Sequence, residues 1–145
     1  MICLIQRVTQ AKVVVNQNTI GQIGPGLVVL TAFQPNDNAQ NINKMVHKLL
    51  HYRLFADEDD KMNLNIQQVN GSLLLIPQFT LAADTQKGLR PSFTSSAKPN
   101  IATLLFDEFV DKMHGASPLI ETGEFGADMQ VTLTNDGPVT FWLET

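Results

Sequence analysis

A glycine and a proline stand next to each other near the end of the chain, within the segment Thr134–Thr140. Asp136-Gly137 is a strong turn signal between two runs of alternating apolar residues, so it predicts a hairpin between two strands. A plain hairpin does not require Pro138, because proline donates no hydrogen bond to the strand pairing and restricts the backbone of the residue before it. Gly137 has no Cβ, so another molecule can approach its main chain, and about 5–6% of X-Pro bonds in folded proteins are cis. On these residues alone, an ordinary turn is the simpler interpretation.

Three side chains that can position a substrate follow the buried apolar run at 73–76. Gln78 can donate and accept hydrogen bonds, and Phe79 can stack on an unpaired base. Each also has a structural explanation, as a solvent-facing strand glutamine and a core phenylalanine. Thr80 is at home in a strand and has no neighbouring base, so we expect its hydroxyl to position a group and not to attack.

Three other groups look like sites of known chemistry, and the sequence argues against each. His47 and His51 have helical i, i+4 spacing, but they lie opposite the apolar stripe and lack the acidic partner of an H-E-x-x-H site. The run 57–60 begins like a calcium loop, but Lys61 takes the next ligand position and the glycine is missing. Cys3 lies in an apolar strand without a histidine partner, which predicts a small buried hydrophobe. We therefore expect no metal and no cofactor.

The composition is that of one globular domain, residues 1–145, with 43% hydrophobic and 17% charged residues. A domain of this size buries about 68–70% of its unfolded surface. Gln6 and Arg7 interrupt the apolar start too early for a signal peptide, and no run approaches the ~18 apolar residues of a membrane span. The single cysteine excludes an intramolecular disulfide. We expect a cytoplasmic protein that does not contact membranes.

The formal net charge of −4 argues against broad binding to nucleic acid, which depends on many Lys and Arg side chains. DNA is therefore not expected as a partner. One RNA end is compatible with this charge, because Lys87, Arg90 and Lys98 fall in one loop region and could meet a few phosphates. Solvated loop cations explain these three residues equally well.

Two helices are predicted by apolar spacing. The first starts with a capping-box-like pair, Asp37 and Gln40, and the second starts near Pro99 and ends at Gly115. The apolar residues of the first are Ile42, Met45, Val46, Leu49 and Leu50, and those of the second are Ile101, Leu104, Leu105, Phe109 and Met113.

The strands surround these helices. Residues 2–15 are predicted to form a strand or a bent pair of strands. Their apolar side chains change parity, which predicts a bulge near residues 9–11, and residues 27–30 are predicted to form a buried central strand. Many strands follow one another without a crossover helix. This pattern predicts an α+β single domain of mostly antiparallel β-sheets, with a barrel-like core and two packed helices. The loop 84–97 is expected to form a binding rim.

Two segments resemble the signature motifs of the D-aminoacyl-tRNA deacylases. They are Gln78-Phe79-Thr80-Leu81 and Asn135-Asp136-Gly137-Pro138-Val139-Thr140. Further matching segments run along the chain, at Ile5–Val8, Lys61–Asn65, Gly88–Phe93 and Ala127–Val131. One position departs from the family, because the first motif usually opens with serine and this chain has Pro77.

The resemblance implies hydrolysis of the ester bond of D-aminoacyl-tRNA, and of mischarged glycyl-tRNA, with release of the free amino acid and tRNA. It implies Gln78, Phe79 and Thr80 as catalytic residues, with main-chain N–H groups of the last two receiving the developing oxyanion. The substrate's own 2′-hydroxyl assists, and no side chain is indispensable as acid or base. No cofactor is implied.

The resemblance also implies a homodimer with its active sites at the subunit interface. Gly137 and Pro138, joined by a cis bond and inserted from the other subunit, form a wall that rejects L-aminoacyl esters by clash. Arg7 is implied to fix this turn, and Pro77 and Met129 are implied as supporting residues. Because Pro77 has neither a hydroxyl nor an N–H, an oxyanion donor lost there would cost about 10²–10³ in rate. The alternative is a noncatalytic dimeric module that binds the aminoacylated 3′ end of tRNA.

Overall fold

The computed structural model describes residues 1–117 and 119–145. In chain order the elements are β1 (Ile2–Val15), β2 (Asn18–Ile23), β3 (Gly26–Ala32), α1 (Ala39–His51), β4 (Phe55–Ala56), β5 (Met62–Leu64), β6 (Ser72–Pro77), a 3₁₀ turn (Phe79–Ala82), α2 (Pro99–Ala116), β7 (Ile120–Thr122) and β8 (Gln130–Glu144).

One six-stranded sheet has the order β2-β1-β3-β6-β7, and β8 pairs with β1. β1 is antiparallel to β2, β3 and β8, whereas β3 with β6 and β6 with β7 are parallel. The sheet curls until Gly21 of β2 lies against the main chain of Thr122 in β7, which nearly closes a barrel. The predicted α+β fold is confirmed. The two parallel pairs were not foreseen, and α1 and α2 lie in the crossovers that connect them.

β1 changes the side to which its apolar residues point. Cys3 and Ile5 join the main core beneath the helices, whereas Val8, Ala11 and Val13 join a second cluster. Val8 pairs with Asn135 and Gln10 pairs with Thr134, so β1 has one extra residue, Thr9, and the predicted bulge lies within the expected range.

The two apolar runs around the Gly-Pro pair belong to one strand, and the predicted hairpin is wrong. Thr140 lies opposite Gln6 and Asn135 lies opposite Val8, so both halves of β8 pair with β1. A single residue of β1, Arg7, therefore faces the four residues 136–139 of β8. These four residues leave the ladder as a wide bulge, which we call the Gly-Pro bulge.

The first helix begins one residue later than predicted. Asn38 is its N-cap and accepts from the Gln40 N–H at 2.9 Å, while the Asn41 side chain accepts from the Asn38 N–H at 3.1 Å. Asp37 instead accepts from the Gln34 N–H at 2.7 Å and pairs with the Met1 ammonium at 2.5 Å. The predicted buried residues Ile42, Met45, Leu49 and Leu50 are confirmed.

The second helix has the predicted start but a different buried face. Phe106, Phe109 and Met113 are buried, whereas Ile101 and Leu104 are 42% and 66% exposed. The prediction for these last two residues is wrong, because the phenylalanines carry more apolar area and turn the helix toward the core.

Cys3 is fully buried, as predicted, and lies 3.5 Å from the Thr31 hydroxyl. Burial raises the pKa of the Cys3 thiol to about 12, so the thiolate is absent near neutral pH. Across residues 1–117 and 119–145, no helix combines the length and the apolar character that crossing a membrane requires.

Gly26→Ala is expected to destabilise the protein, because a Cβ at this position would lie 1.9 Å from the Ser72 carbonyl oxygen in the neighbouring strand. Forcing β3 and β6 apart should cost about 3 kcal/mol in the free energy of unfolding, measured by urea denaturation. Gly24→Ala is the matched control, since no atom lies within 4 Å of its Cβ, and it should change stability by less than about 0.5 kcal/mol. Equal unfolding midpoints for the two variants would contradict this account.

Candidate active site

The first candidate segment begins where β6 ends. Pro77 has no N–H to continue the ladder, and the Gln78 N–H donates to the Thr31 carbonyl at 2.7 Å. The chain then turns into the 3₁₀ turn that starts at Phe79. Gln78 is therefore the residue before a turn, and the alternative interpretation as a strand glutamine is wrong. Its side-chain amide donates to the Thr80 hydroxyl at 2.5 Å.

Two N–H groups open the turn. Those of Phe79 and Thr80 come first in the turn, so no carbonyl within it can receive them. Among residues 1–117 and 119–145, no acceptor from another element bonds to either group. Both N–H groups are therefore free to donate hydrogen bonds to an oxygen atom of a ligand.

Two serines hold the other side of the turn, and the sequence reasoning did not single them out. The Ser96 hydroxyl donates to the Phe79 carbonyl at 3.2 Å, and the Ser95 hydroxyl donates to the Ala82 carbonyl. Both belong to the loop 84–97, which was expected only to form a rim. Consecutive serines are common in loops, so their spacing carried no signal of this contact.

A cavity of about 600 Å³ opens beside the turn. Pro77, Gln78 and Phe79 line one side, and Met129 lines another, so the supporting residues implied by the family resemblance border the same space. Phe79 is 53% exposed and its ring lies 5.1 Å from that of Phe93. The cavity is thus mainly apolar, with an exposed aromatic surface next to the two free N–H groups.

The three cations in and next to the loop 84–97 have different surroundings. Lys98 lines the cavity, whereas Lys87 and Arg90 lie on an exposed stretch. That stretch is closed by reciprocal hydrogen bonds of 2.8 and 2.9 Å between Asp84 and Ser92.

The second candidate segment, the Gly-Pro bulge, is held by Arg7. Its Nε donates to the Asp136 carbonyl at 3.1 Å and lies 3.2 Å from the Asp136 carboxylate. Its Nη1 donates to the Leu54 carbonyl at 2.7 Å. Arg7 is only 14% exposed, so it fastens the bulge to the chain that leaves α1.

Asn135 closes the bulge from inside. Its side-chain oxygen accepts from the Val139 N–H at 2.7 Å, and its amide donates to the Thr140 hydroxyl at 3.0 Å. The sequence reasoning assigned no role to this residue, although an asparagine ahead of a turn is a known signal for such side-chain to main-chain bonds.

Gly137 and Pro138 are exposed at the tip of the bulge, and the bond between them is cis. Gly137 has φ +134°, a conformation that residues with a Cβ rarely adopt. A Cβ there would lie 2.7 Å from Val139 Cγ2 and 3.1 Å from Arg7 Nη2. Such a Cβ would therefore point into the bulge's own support.

The two candidate segments are far apart in one chain. Pro77 lies opposite Thr31, and Thr31 lies opposite Cys3, whereas the bulge faces Arg7. The strand spacings put the segments about 14 Å apart across the sheet and about 13 Å along it, or about 19 Å in all. Within the described part of the chain, no hydrogen bond joins them.

The remaining titratable groups form local structure. The rings of His47 and His51 are stacked with centroids 4.3 Å apart. Hydrogen bonds from the Lys61 N–H and the Asn63 amide lower the pKa of the Asp57 carboxyl, as expected for a polar turn. Throughout residues 1–117 and 119–145, no three His, Cys, Asp or Glu side chains converge as metal ligands would. The absence of a metal requirement stays a prediction.

A family model described as D-Tyr-tRNA(Tyr) deacylase matches residues 4–144. The chain is 63% identical to a D-aminoacyl-tRNA deacylase of Hydrogenovibrio crunogenus over the full length of both proteins. It is 60% identical to a protein of the same name from Haemophilus influenzae, over 99% of each chain.

Two solved structures share the fold over nearly the whole chain. One, called c-Myc DNA Unwinding Element Binding Protein, has a TM-score of 0.96 and 35% identity, with coverage of 100% of this chain and 99% of the other. A probable eukaryotic D-amino acid tRNA deacylase has a TM-score of 0.87 and 18% identity, with coverage of 99% and 98%. The family match and the close relatives together show that this chain belongs to the D-Tyr-tRNA(Tyr) deacylase family.

Proposed function

We propose that this protein hydrolyses the ester bond of D-aminoacyl-tRNA and releases the free D-amino acid and tRNA. The observation that carries the proposal is the pair of unpaired N–H groups at Phe79 and Thr80, at the start of a turn whose first residue, Phe79, lines a cavity of about 600 Å³. Relatives that are 60–63% identical over their whole length bear the corresponding name.

The reaction does not require a strong nucleophile among the side chains, because an aminoacyl ester is already activated. Water adds to the carbonyl carbon, the bond to the ribose oxygen breaks, and that oxygen takes up a proton. The two N–H groups stabilise the negative charge that develops on the carbonyl oxygen. Gln78 and the hydroxyl of Thr80 hold each other at 2.5 Å and position the reacting groups.

The cavity receives the terminal adenosine of the tRNA. Phe79 and Phe93 offer aromatic faces on which an unpaired base stacks, which is how proteins generally hold single-stranded RNA ends. Met129 closes the wall with a side chain that adapts its shape.

The Gly-Pro bulge supplies the selection for D-amino acids. Arg7 and Asn135 hold its main chain rigidly, so a substituent on the wrong side of the substrate's α-carbon meets a wall that does not yield. Selection by clash ignores the identity of the D side chain. Glycyl esters have no side chain to clash and are therefore substrates too.

The active species is a homodimer. About 19 Å separates the two segments in one chain on the strand spacings, so the bulge of a second subunit must complete each site. A row of apolar residues, Leu30, Leu4 and Trp142, crosses three neighbouring strands on one face of the sheet. Trp142 is 50% exposed, and the row lies between the 3₁₀ turn and the bulge, where a second copy would cover it.

The aminoacylated end of tRNA is the partner, and DNA is not. One related structure has a name that refers to DNA, but a net charge of −4 does not suit broad binding to a duplex. The site of action is the cytoplasm, where aminoacyl-tRNA is used. A noncatalytic binding module is not favoured, because the closely related proteins are named as deacylases.

Purified protein should hydrolyse D-tyrosyl-tRNA at least about 100-fold faster than L-tyrosyl-tRNA, a discrimination of about 2.8 kcal/mol. Glycyl-tRNA should also be hydrolysed. The measurement is kcat/KM for each ester under one set of conditions. Equal rates for both enantiomers would exclude selection by the bulge, and tight binding without hydrolysis would identify the noncatalytic module.

Gly137→Ala should lower kcat/KM by about 100-fold on both D-alanyl- and D-tyrosyl-tRNA. The added Cβ presses on Val139 and Arg7 and shifts the wall, and a displacement of about 1 Å costs about 10²-fold in rate. Gly115→Ala, whose Cβ meets no atom within 4 Å, is the control and should retain activity. A loss confined to the bulky substrate would show that the bulge reads the side chain and not the α-carbon.

Thr80→Ala should slow turnover by about tenfold without abolishing it, because the main-chain donors remain and only a positioning bond is lost. Thr80→Ser should restore most of the rate. Mass spectrometry of enzyme quenched during turnover should find no acyl group on Thr80. A dead but folded alanine variant, or a covalent adduct on the hydroxyl, would make Thr80 a nucleophile.

A further inference from the structure

The exposed face of α1 and the residues that follow it have an unusual charge distribution. Residues 38–56 contain Lys44, Lys48 and Arg53 but no Asp or Glu. The rest of the chain holds seven Lys and Arg against fourteen Asp and Glu, a net charge of −7. Residues 38–56 are thus a segment of net charge +3 in an otherwise acidic chain.

The two lysines share one face of the helix, and the exposed Arg53 follows two residues after the helix ends at His51. Ile42, Met45 and Leu49 turn inward, which leaves Lys44, His47, Lys48 and His51 exposed on the opposite side. Lys48 donates to the Glu144 carbonyl at 2.9 Å. Lys44 and Arg53 form no ion pair with any residue in the ranges 1–117 and 119–145. Their charges are therefore available to a ligand.

This face ends beside the Gly-Pro bulge. Arg7 bonds both to Leu54, the residue after Arg53, and to Asp136 in the bulge. In the proposed dimer the bulge completes the site of the other subunit, so the cationic face starts at the edge of that site. The eight residues from Lys44 to His51 extend it by about 10 Å along the helix.

We propose that the face formed by Lys44, Lys48 and Arg53 binds backbone phosphates of the tRNA whose aminoacylated end lies in the adjacent site. This inference rests on the proposed function and extends it from the terminal adenosine to the rest of the acceptor end. One strand of a duplex carries a phosphate about every 3.4 Å along its axis, so about 10 Å of helix faces about three phosphates. Phosphate contacts of this kind carry no base specificity.

The test compares two double variants with the same net charge of −6. Lys44→Gln/Arg53→Gln removes charge from the face, whereas Lys12→Gln/Lys61→Gln removes it from exposed positions elsewhere. Each protein is assayed on D-tyrosyl-tRNA and on 3′-O-D-tyrosyl-adenosine, which has no phosphates. Binding of uncharged tRNA is measured in parallel by fluorescence anisotropy over a range of salt concentrations.

At about 0.1 M salt, the affinity of the face variant for tRNA should fall about tenfold or more. Its kcat/KM on the tRNA substrate should fall by the same factor, because KM rises while kcat is unchanged. Its plot of log affinity against log salt should be shallower by about 1.4 to 1.8. Hydrolysis of the adenosine ester should be unchanged, and the control variant should behave as wild type. The unchanged hydrolysis of the adenosine ester excludes a folding defect in the face variant, and the charge-conserving Lys44→Arg/Arg53→Lys should retain the tRNA affinity, as expected if charge is what the face contributes.

Equal losses in both double variants would overturn the inference in favour of a bulk charge effect. Unchanged tRNA affinity in the face variant would also overturn it, and loss of binding to anionic phospholipid vesicles in that case would assign the face to a membrane surface. If neither the wild-type protein nor any variant hydrolyses either ester, the proposed function is wrong. The anisotropy measurement still decides in that case whether the face binds tRNA.

Discussion

The pairing of β1 with both halves of β8 is the constraint on which the rest of the structure depends. β1 has 14 residues and pairs with three other strands, so it fixes the register of the sheet around it. Because the halves of β8 are in register on either side of Arg7, the residues between them must leave the ladder. The Gly-Pro bulge is thus a consequence of strand pairing and does not depend on the flexibility of a terminal turn.

Rigidity of the main chain follows from the same arrangement. Arg7 lies at the only position of β1 that faces the bulge, and it reaches both Asp136 and Leu54. Asn135 closes the opposite side with bonds to Val139 and Thr140. The proposed selection by clash requires a surface that yields very little, and these two side chains hold the bulge from a sheet, which is stiffer than a loop.

Local patterns made several features predictable. The apolar spacing of α1, the buried strand at 27–30 and the buried Cys3 each depend on residues close in sequence. The hairpin expected at Gly137 failed because a hairpin and a bulged strand share the same alternation and the same turn residues. They differ only in the partner strand, and β1 is more than 120 residues away in sequence.

The site was predictable in part for a similar reason. The hydrogen-bonding capacity of Gln78 and Thr80 was apparent from residue type, but the anchoring of the turn by Ser95 and Ser96 depends on how a loop packs. The phase of α2 likewise depends on which side chains the core accepts. Phe106 occupies the core in place of Ile101 and Leu104, because its larger side chain fills the available volume, which the apolar spacing of the sequence does not reveal.

The acidic charge of the chain is compatible with an enzyme that acts on an end of a large polyanion. Substrate and product share the whole tRNA and differ only in the aminoacyl group. Affinity for the shared phosphates lowers KM but does not raise kcat, and it retains the product as firmly as the substrate. A protein with a net charge of −4, in which a short segment at 38–56 carries basic residues without acidic ones, limits that shared affinity. In the mechanism proposed above, the binding energy that accelerates the reaction comes from the two main-chain donors at Phe79 and Thr80, where the charge of the transition state would develop.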